Sequence, residues 1–169
     1  MERIVTMRGN PLKLSGSELK VGDKAPDFEA VSNDLTPIGL SSYHGKVIVI
    51  SSVPSLDTPV CDTETRRFNV EAGKLGEDVA VVTISMDLPF AQKRWCGAAG
   101  ISHVTTLSDH RTAGFGQAYG VLLGALRLLA RAVFVIDRKN VIRYIEIVNE
   151  IASEPDYDAC LKAVRDCLK

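Results

Sequence analysis

The amino-acid sequence predicts an α/β fold with a mixed central sheet and helices on both faces. Three observations lead to it. The run Val47-Ile48-Val49-Ile50 is β-branched throughout and lies between Gly45 and Pro54, which suits a strand buried on both faces inside a sheet. Strand-like runs alternate with helix-like stretches early in the chain, the pattern that builds parallel strands with crossover helices. Later, two apolar runs are joined by the polar turn Asp137-Arg138-Lys139-Asn140, as in an antiparallel hairpin.

In chain order, Ile4 to Leu14 reads as two short strands broken at Gly9-Asn10-Pro11, a hairpin extension within residues 1–20. A loop follows through Gly22 to Asp27. After the Val47–Ile50 strand the sequence predicts a helix from Pro59 to about Leu75, a strand from Val79 to Met86, and a helix from Pro89 to Cys96 ended by Gly97. Thr112–Tyr119 and Asp156–Leu168 read as further helices, and Ala132–Ile136 with Val141–Val148 as the late hairpin at a sheet edge. Together these elements are the pattern of a thioredoxin-like fold in one domain covering residues 1–169.

A chain of 169 residues with 46% hydrophobic and 24% charged residues buries a core without disulfide staples. Lysine and arginine total 20 against 21 acidic residues, with no block of like charge, so neither nucleic acid nor anionic lipid is an expected partner. Met1 to Arg8 lacks the apolar stretch of a signal peptide, and a cytoplasmic location is expected. The most apolar segment, Val121 to Ile136, is interrupted by Arg127 and Arg131 and is too short for a membrane span.

Four cysteines are too few for a disulfide scaffold and raise metal or redox chemistry instead. No Cys-x-x-Cys pair exists, which removes a dithiol reductase, and the paired spacings of a zinc site are absent. No metal or cofactor is expected, and His44, His103 and His110 are scattered without a role. Cys160 and Cys167 share one face of the last predicted helix about 10 Å apart, too far to bridge, and read as core residues.

Chemistry concentrates in Ser51 to Cys61, between a buried strand and a helix start. Thr58 followed by Pro59 is a helix-start signal, because threonine can cap and proline is tolerated where the amide has no partner. Cys61 then falls in the first turn, where unpaired amides and the helix dipole favour thiolate, the reactive species. On position alone, Cys61 is equally consistent with a small buried core residue. Arg131 sits where Leu128-Leu129-Ala130 leads into an apolar strand, an expensive place for a guanidinium unless an anionic partner is near. A carboxylate would satisfy it; Arg127 reads as surface.

The segment Pro54-x-x-x-Thr58-x-x-Cys61 resembles the peroxiredoxins, and the resemblance extends to the thiol peroxidase subfamily. Asp87-Leu88-Pro89-Phe90-Ala91-Gln92, Cys96-Gly97-Ala98, Gln117-Ala118-Tyr119-Gly120, Ala130-Arg131-Ala132-Val133 and Glu154-Pro155-Asp156-Tyr157 carry it over most of the chain. It implies a thioredoxin-like homodimer that reduces hydrogen peroxide and organic hydroperoxides and is recycled by thioredoxin. By the same resemblance Cys61 is the peroxidatic cysteine and Cys96 the resolving one, joined in an intramolecular disulfide. Thr58 would bond the substrate, Arg131 would hold thiolate and peroxide, and Pro54 would shield the sulfur. The chain departs from the usual subfamily pattern at Gly124-Ala125-Leu126-Arg127-Leu128-Leu129, where Gly-Pro-Leu-Lys-Gly-Leu is common, so a differently shaped loop is expected before Arg131. Two rivals stand beside this reading. A redox-regulated binding protein would use Cys61 and Cys96 as a switch, and a cysteine hydrolase would need a histidine in contact with Cys61.

Overall fold

A computed structural model describes all 169 residues. Its elements in chain order are β1 (Ile4–Met7), β2 (Asn10–Lys13), β3 (Ala30–Val31), β4 (Pro37–Ile38), β5 (Val47–Ser52), α1 (Pro59–Leu75), β6 (Val79–Ser85) and α2 (Pro89–Ala99). Then follow β7 (Thr105–Ser108), α3 (Gly114–Ala118), β8 (Leu122–Leu123), β9 (Leu128–Leu129), β10 (Ala132–Ile136), β11 (Ile142–Ile147) and α4 (Tyr157–Leu168). A seven-stranded sheet runs in the order β11-β10-β5-β6-β7-β3-β4. Strands β5, β6 and β7 are parallel through the crossover helices α1 and α2, whereas β10, β11 and β3 join antiparallel, so the sheet is mixed as expected.

The alternation of strand side chains divides the core. Val47 and Val49 of β5 face one side with Val81, Val133 and Val135, against Phe68 of α1 and Cys160 and Val164 of α4. Ile48 and Ile50 face the other side with Ile84, Phe134 and Ile136, against Phe115 of α3 and Val5 and Leu14 of the N-terminal segment. Helices therefore cover both faces. No helix is long and apolar enough to cross a membrane.

The N-terminal hairpin forms, but its turn is Arg8-Gly9, with φ of 51° and 80°, and Asn10 and Pro11 belong to its second strand. Two left-handed residues in succession match the twist of paired strands, so the break falls earlier than the proline suggested. Helix α2 passes through Gly97 and stops at Gly100, whose φ of 68° suits the left-handed end of a helix. A glycine inside a helix weakens it by about 1 kcal/mol without ending it. Strands β3, β4, β7, β8 and β9 were not legible in the sequence, because two to four residues are too few to show a period. The departing loop is the tip of the β8–β9 hairpin, where exposed Arg127 adopts φ 52° and donates to the His110 carbonyl at 3.0 Å.

Candidate active site

Strand parity and helix spacing bring four side chains together at the end of β5. Ser51 lies two residues past Val49 and Arg131 two residues before Val133, so both continue the face that α1 covers. Cys61 and Glu64 stand three apart near the start of α1, one turn above each other on its buried side. The result is a dry cluster: Cys61, Glu64 and Ser51 have no measurable exposure and Arg131 has 1%.

Hydrogen bonds order the cluster around the guanidinium. Arg131 Nη2 donates to Cys61 Sγ at 3.2 Å, Nε donates to the Ile151 carbonyl at 2.8 Å, and Nη1 pairs with the Glu64 carboxylate. Ser51 Oγ donates to the other oxygen of Glu64 at 2.8 Å. Burial opposes the charge on Arg131, but Glu64 and the Cys61 sulfur outweigh it and hold the guanidinium above its ordinary value. Burial also pushes the Glu64 carboxyl up, an effect that Arg131 and Ser51 offset in part. Arg131 thus has both kinds of partner open to it from sequence, a carboxylate and the sulfur. Glu64 was missed, although its spacing from Cys61 and the need of Arg131 for an anion were both readable.

Cys61 lies in the first turn of α1, and the first helical bond is Asp62 N to Thr58 O at 3.0 Å. The amides of Val60 and Cys61 precede that ladder, which gives the turn its positive end. Thr58 is at the cap position, but its hydroxyl does not cap; it donates to the Ser55 carbonyl at 2.8 Å. With its proton so committed, Thr58 Oγ1 offers lone pairs to a donor. Pro54 is buried, and Pro54, Thr58 and Arg131 line a cavity of about 350 Å³ beside the enclosed sulfur. The hydrogen-bond partner of Cys61 is an arginine and not a histidine, which leaves a hydrolase without its base.

The structure thus gathers Cys61, Arg131, Thr58 and Pro54, but not Cys96. Cys96 is half-buried on α2, and its sulfur lies 3.4 Å from Thr106 Oγ1 of β7, whose hydroxyl donates to Asn33 at 3.0 Å. Its neighbour Trp95 packs on Val53, Leu56 and Cys61. All four cysteines are free. Cys160 belongs to the core, where burial pushes its thiol up to about 12, and Cys167 sits half-buried at the edge of that core.

Comparison with known proteins agrees with this arrangement. The redoxin family model matches residues 20–161. A thiol peroxidase of Oceanobacillus iheyensis is 59% identical over 157 residues, 93% of this chain and 95% of the relative. The chain belongs to the redoxin family, among the thiol peroxidases. The thiol peroxidase of Bacillus subtilis is 53% identical over 98% of both chains. Among solved structures, a peroxiredoxin-like protein from Aquifex aeolicus superimposes with a TM-score of 0.91 at 47% identity, over 98% of this chain and 97% of that one. A thiol peroxidase from Chromobacterium violaceum, at 24% identity and a TM-score of 0.84 over 96% and 95%, shares the fold. This membership makes the chain a thiol-dependent peroxidase of the peroxiredoxin type, with the thioredoxin-like fold expected from its elements.

Proposed function

We propose that the chain reduces hydrogen peroxide and organic hydroperoxides with Cys61 as nucleophile and Cys96 as resolving thiol, and that a thioredoxin-like dithiol restores it. The observation that carries this reading is the Arg131 guanidinium donating to the Cys61 sulfur at a helix start, beside a cavity lined by Thr58 and Pro54. The Cys61 thiolate attacks the terminal peroxide oxygen, the O–O bond breaks, and water or an alcohol leaves after protonation. The sulfur becomes a sulfenic acid, the first reversible stage of oxidation. Thr58 accepts a hydrogen bond from the peroxide hydroxyl, the role that its donation to Ser55 leaves open. Arg131 stabilises the charge moving from sulfur to oxygen, and Pro54 keeps water from the sulfur. The Cys96 thiol then displaces water from the sulfenic sulfur, and a reductant with two thiols reopens the disulfide.

We propose further that residues 1–169 form one domain, acting in the cytoplasm and, as the family resemblance implies, as a homodimer. Peroxide consumption with thioredoxin and its reductase tests the chemistry. Cys61→Ser is expected to abolish turnover while leaving the fold intact, and substantial residual turnover would sink the assignment. Cys96→Ser is expected to react once, then stall as a sulfenic acid; a variant that cycles normally would remove Cys96 from the mechanism.

A further inference from the structure

The hairpin β1–β2 takes no part in the chemistry, yet its tip reaches the cavity beside Cys61. Met7, Arg8 and Asn10 form one wall of that cavity, facing Thr58, Pro59 and Val60 at the helix start. A two-strand hairpin is marginal by itself, so something else must hold this wall in place. Glu150 does so. Its carboxylate accepts from the Arg8 amide at 2.9 Å, the Gly9 amide at 3.1 Å and the Thr6 hydroxyl at 2.8 Å. It also accepts from the Ala152 amide at 3.1 Å, which fixes its own loop. Both amides of the turn are thereby tied to one side chain from the far end of the chain.

We propose that Glu150 is a positioning residue for hydroperoxide specificity, fixing the hairpin tip as the wall against which the organic part of a substrate rests. The proposal deepens the peroxidase reading and rests on it. Met7, Pro59, Val60 and Ile151 give the cavity an apolar lining suited to a hydrocarbon body, whereas hydrogen peroxide has no atoms to reach the wall. The Glu150 side chain is separable from the support of Arg131. Thr6 N donates to Asn149 O at 2.6 Å and Ile151 N to Thr6 O at 2.9 Å, and these backbone bonds hold the Ile151 carbonyl that receives Arg131 Nε. Removing the carboxylate therefore frees the tip without releasing the guanidinium.

The test compares cumene hydroperoxide with hydrogen peroxide in steady state, using wild type, Glu150→Ala, Glu150→Gln and Met7→Ala. Glu150→Ala is expected to raise KM for cumene hydroperoxide about tenfold, the scale on which an apolar contact discriminates, with kcat little changed and hydrogen peroxide kinetics within about twofold. Glu150→Gln keeps one acceptor oxygen and is expected to fall between. Met7→Ala trims the wall while leaving every Glu150 bond and is expected to reproduce the selective rise in KM, so the wall is tested even if Glu150→Ala folds poorly. Variants that treat the two peroxides alike, while wild type is active and Cys61→Ser is not, would overturn the inference and leave the peroxidase reading standing. A wild type inactive on both peroxides would remove that reading and the inference with it.

Discussion

Lysine at position 131 would keep the positive charge but would carry its three N–H donors on one nitrogen, whereas the guanidinium reaches its partners from three, Nε to Ile151, Nη1 to Glu64 and Nη2 to Cys61. An ammonium drawn to the buried Glu64 carboxylate would leave the sulfur without its donor, because the carboxylate is the stronger acceptor. A hydrogen bond to a charged group contributes about 1.5–3 kcal/mol. If that is lost in the transition state, Arg131→Lys slows sulfenic acid formation roughly ten- to a hundredfold. Stopped-flow oxidation of Cys61 by hydrogen peroxide measures it; a rate within twofold of wild type would make Arg131 a structural residue. The same geometry accounts for what was legible here. The Pro54, Thr58 and Cys61 spacing was local and visible. The Glu64 partnership had readable halves, but joining them takes a contact with Arg131, 67 positions along the chain.

Longer elements are legible in the sequence, and among the short strands those of the N-terminal hairpin are, through the turn between them. Strand β5 and helix α1 have enough residues to show their period. Strand β7, Thr105–Ser108, has Leu107 as its one apolar residue, and Thr106 turns toward Cys96 and Asn33, so the strand lacks the apolar run of a buried strand. The N-terminal hairpin was visible as an element, but the anchoring of its tip was not, since that runs to the Glu150 carboxylate at the far end of the chain. The Gly9 and Arg8 amides, followed by the Thr6 hydroxyl, hold the Glu150 carboxyl at about 2, below its ordinary 4.5. A carboxyl depressed by docking stabilises the docked form above the ordinary value, and that contribution is lost as pH falls from about 4.5 through about 2. The Gly9 amide resonance is therefore expected to titrate near the lower value in wild type and not at all with that profile in Glu150→Gln. A transition near 4.5 in wild type would mean that the tip is not tied to this carboxylate.

Across the whole molecule the sulfurs of the two cysteines proposed to react have different supports, Cys61 on Arg131 just before β10 and Cys96 on Thr106 of β7. A disulfide needs their α-carbons within about 7 Å and both sulfurs released from these partners. In the proposed mechanism the first turn of α1 that would serve the peroxide also encloses the sulfur against a second thiol, so one geometry would not serve both steps. The segments free to yield can be read from their residues. Thr58, Pro59 and Val60 have poor helix propensity, and α2 carries Gly97 inside and Gly100 at its end. The segments fixed against yielding are equally plain. Asp87 accepts from Ser55 Oγ at 2.7 Å, Leu56 N at 2.8 Å and Ser85 Oγ at 2.7 Å, which ties the loop before α1 to the junction that begins α2. Opening on disulfide formation is therefore expected to be confined to the first turn of α1 and the last turns of α2, with β5, β6 and β10 unchanged. Hydrogen exchange on the reduced and disulfide forms checks this: amides of residues 60–64 and 94–100 are expected to lose protection on oxidation, while those of the central strands keep it. Equal protection of both segments in the two forms would show that the disulfide forms without unwinding, and Cys96 would then have to reach Cys61 by side-chain rotation alone.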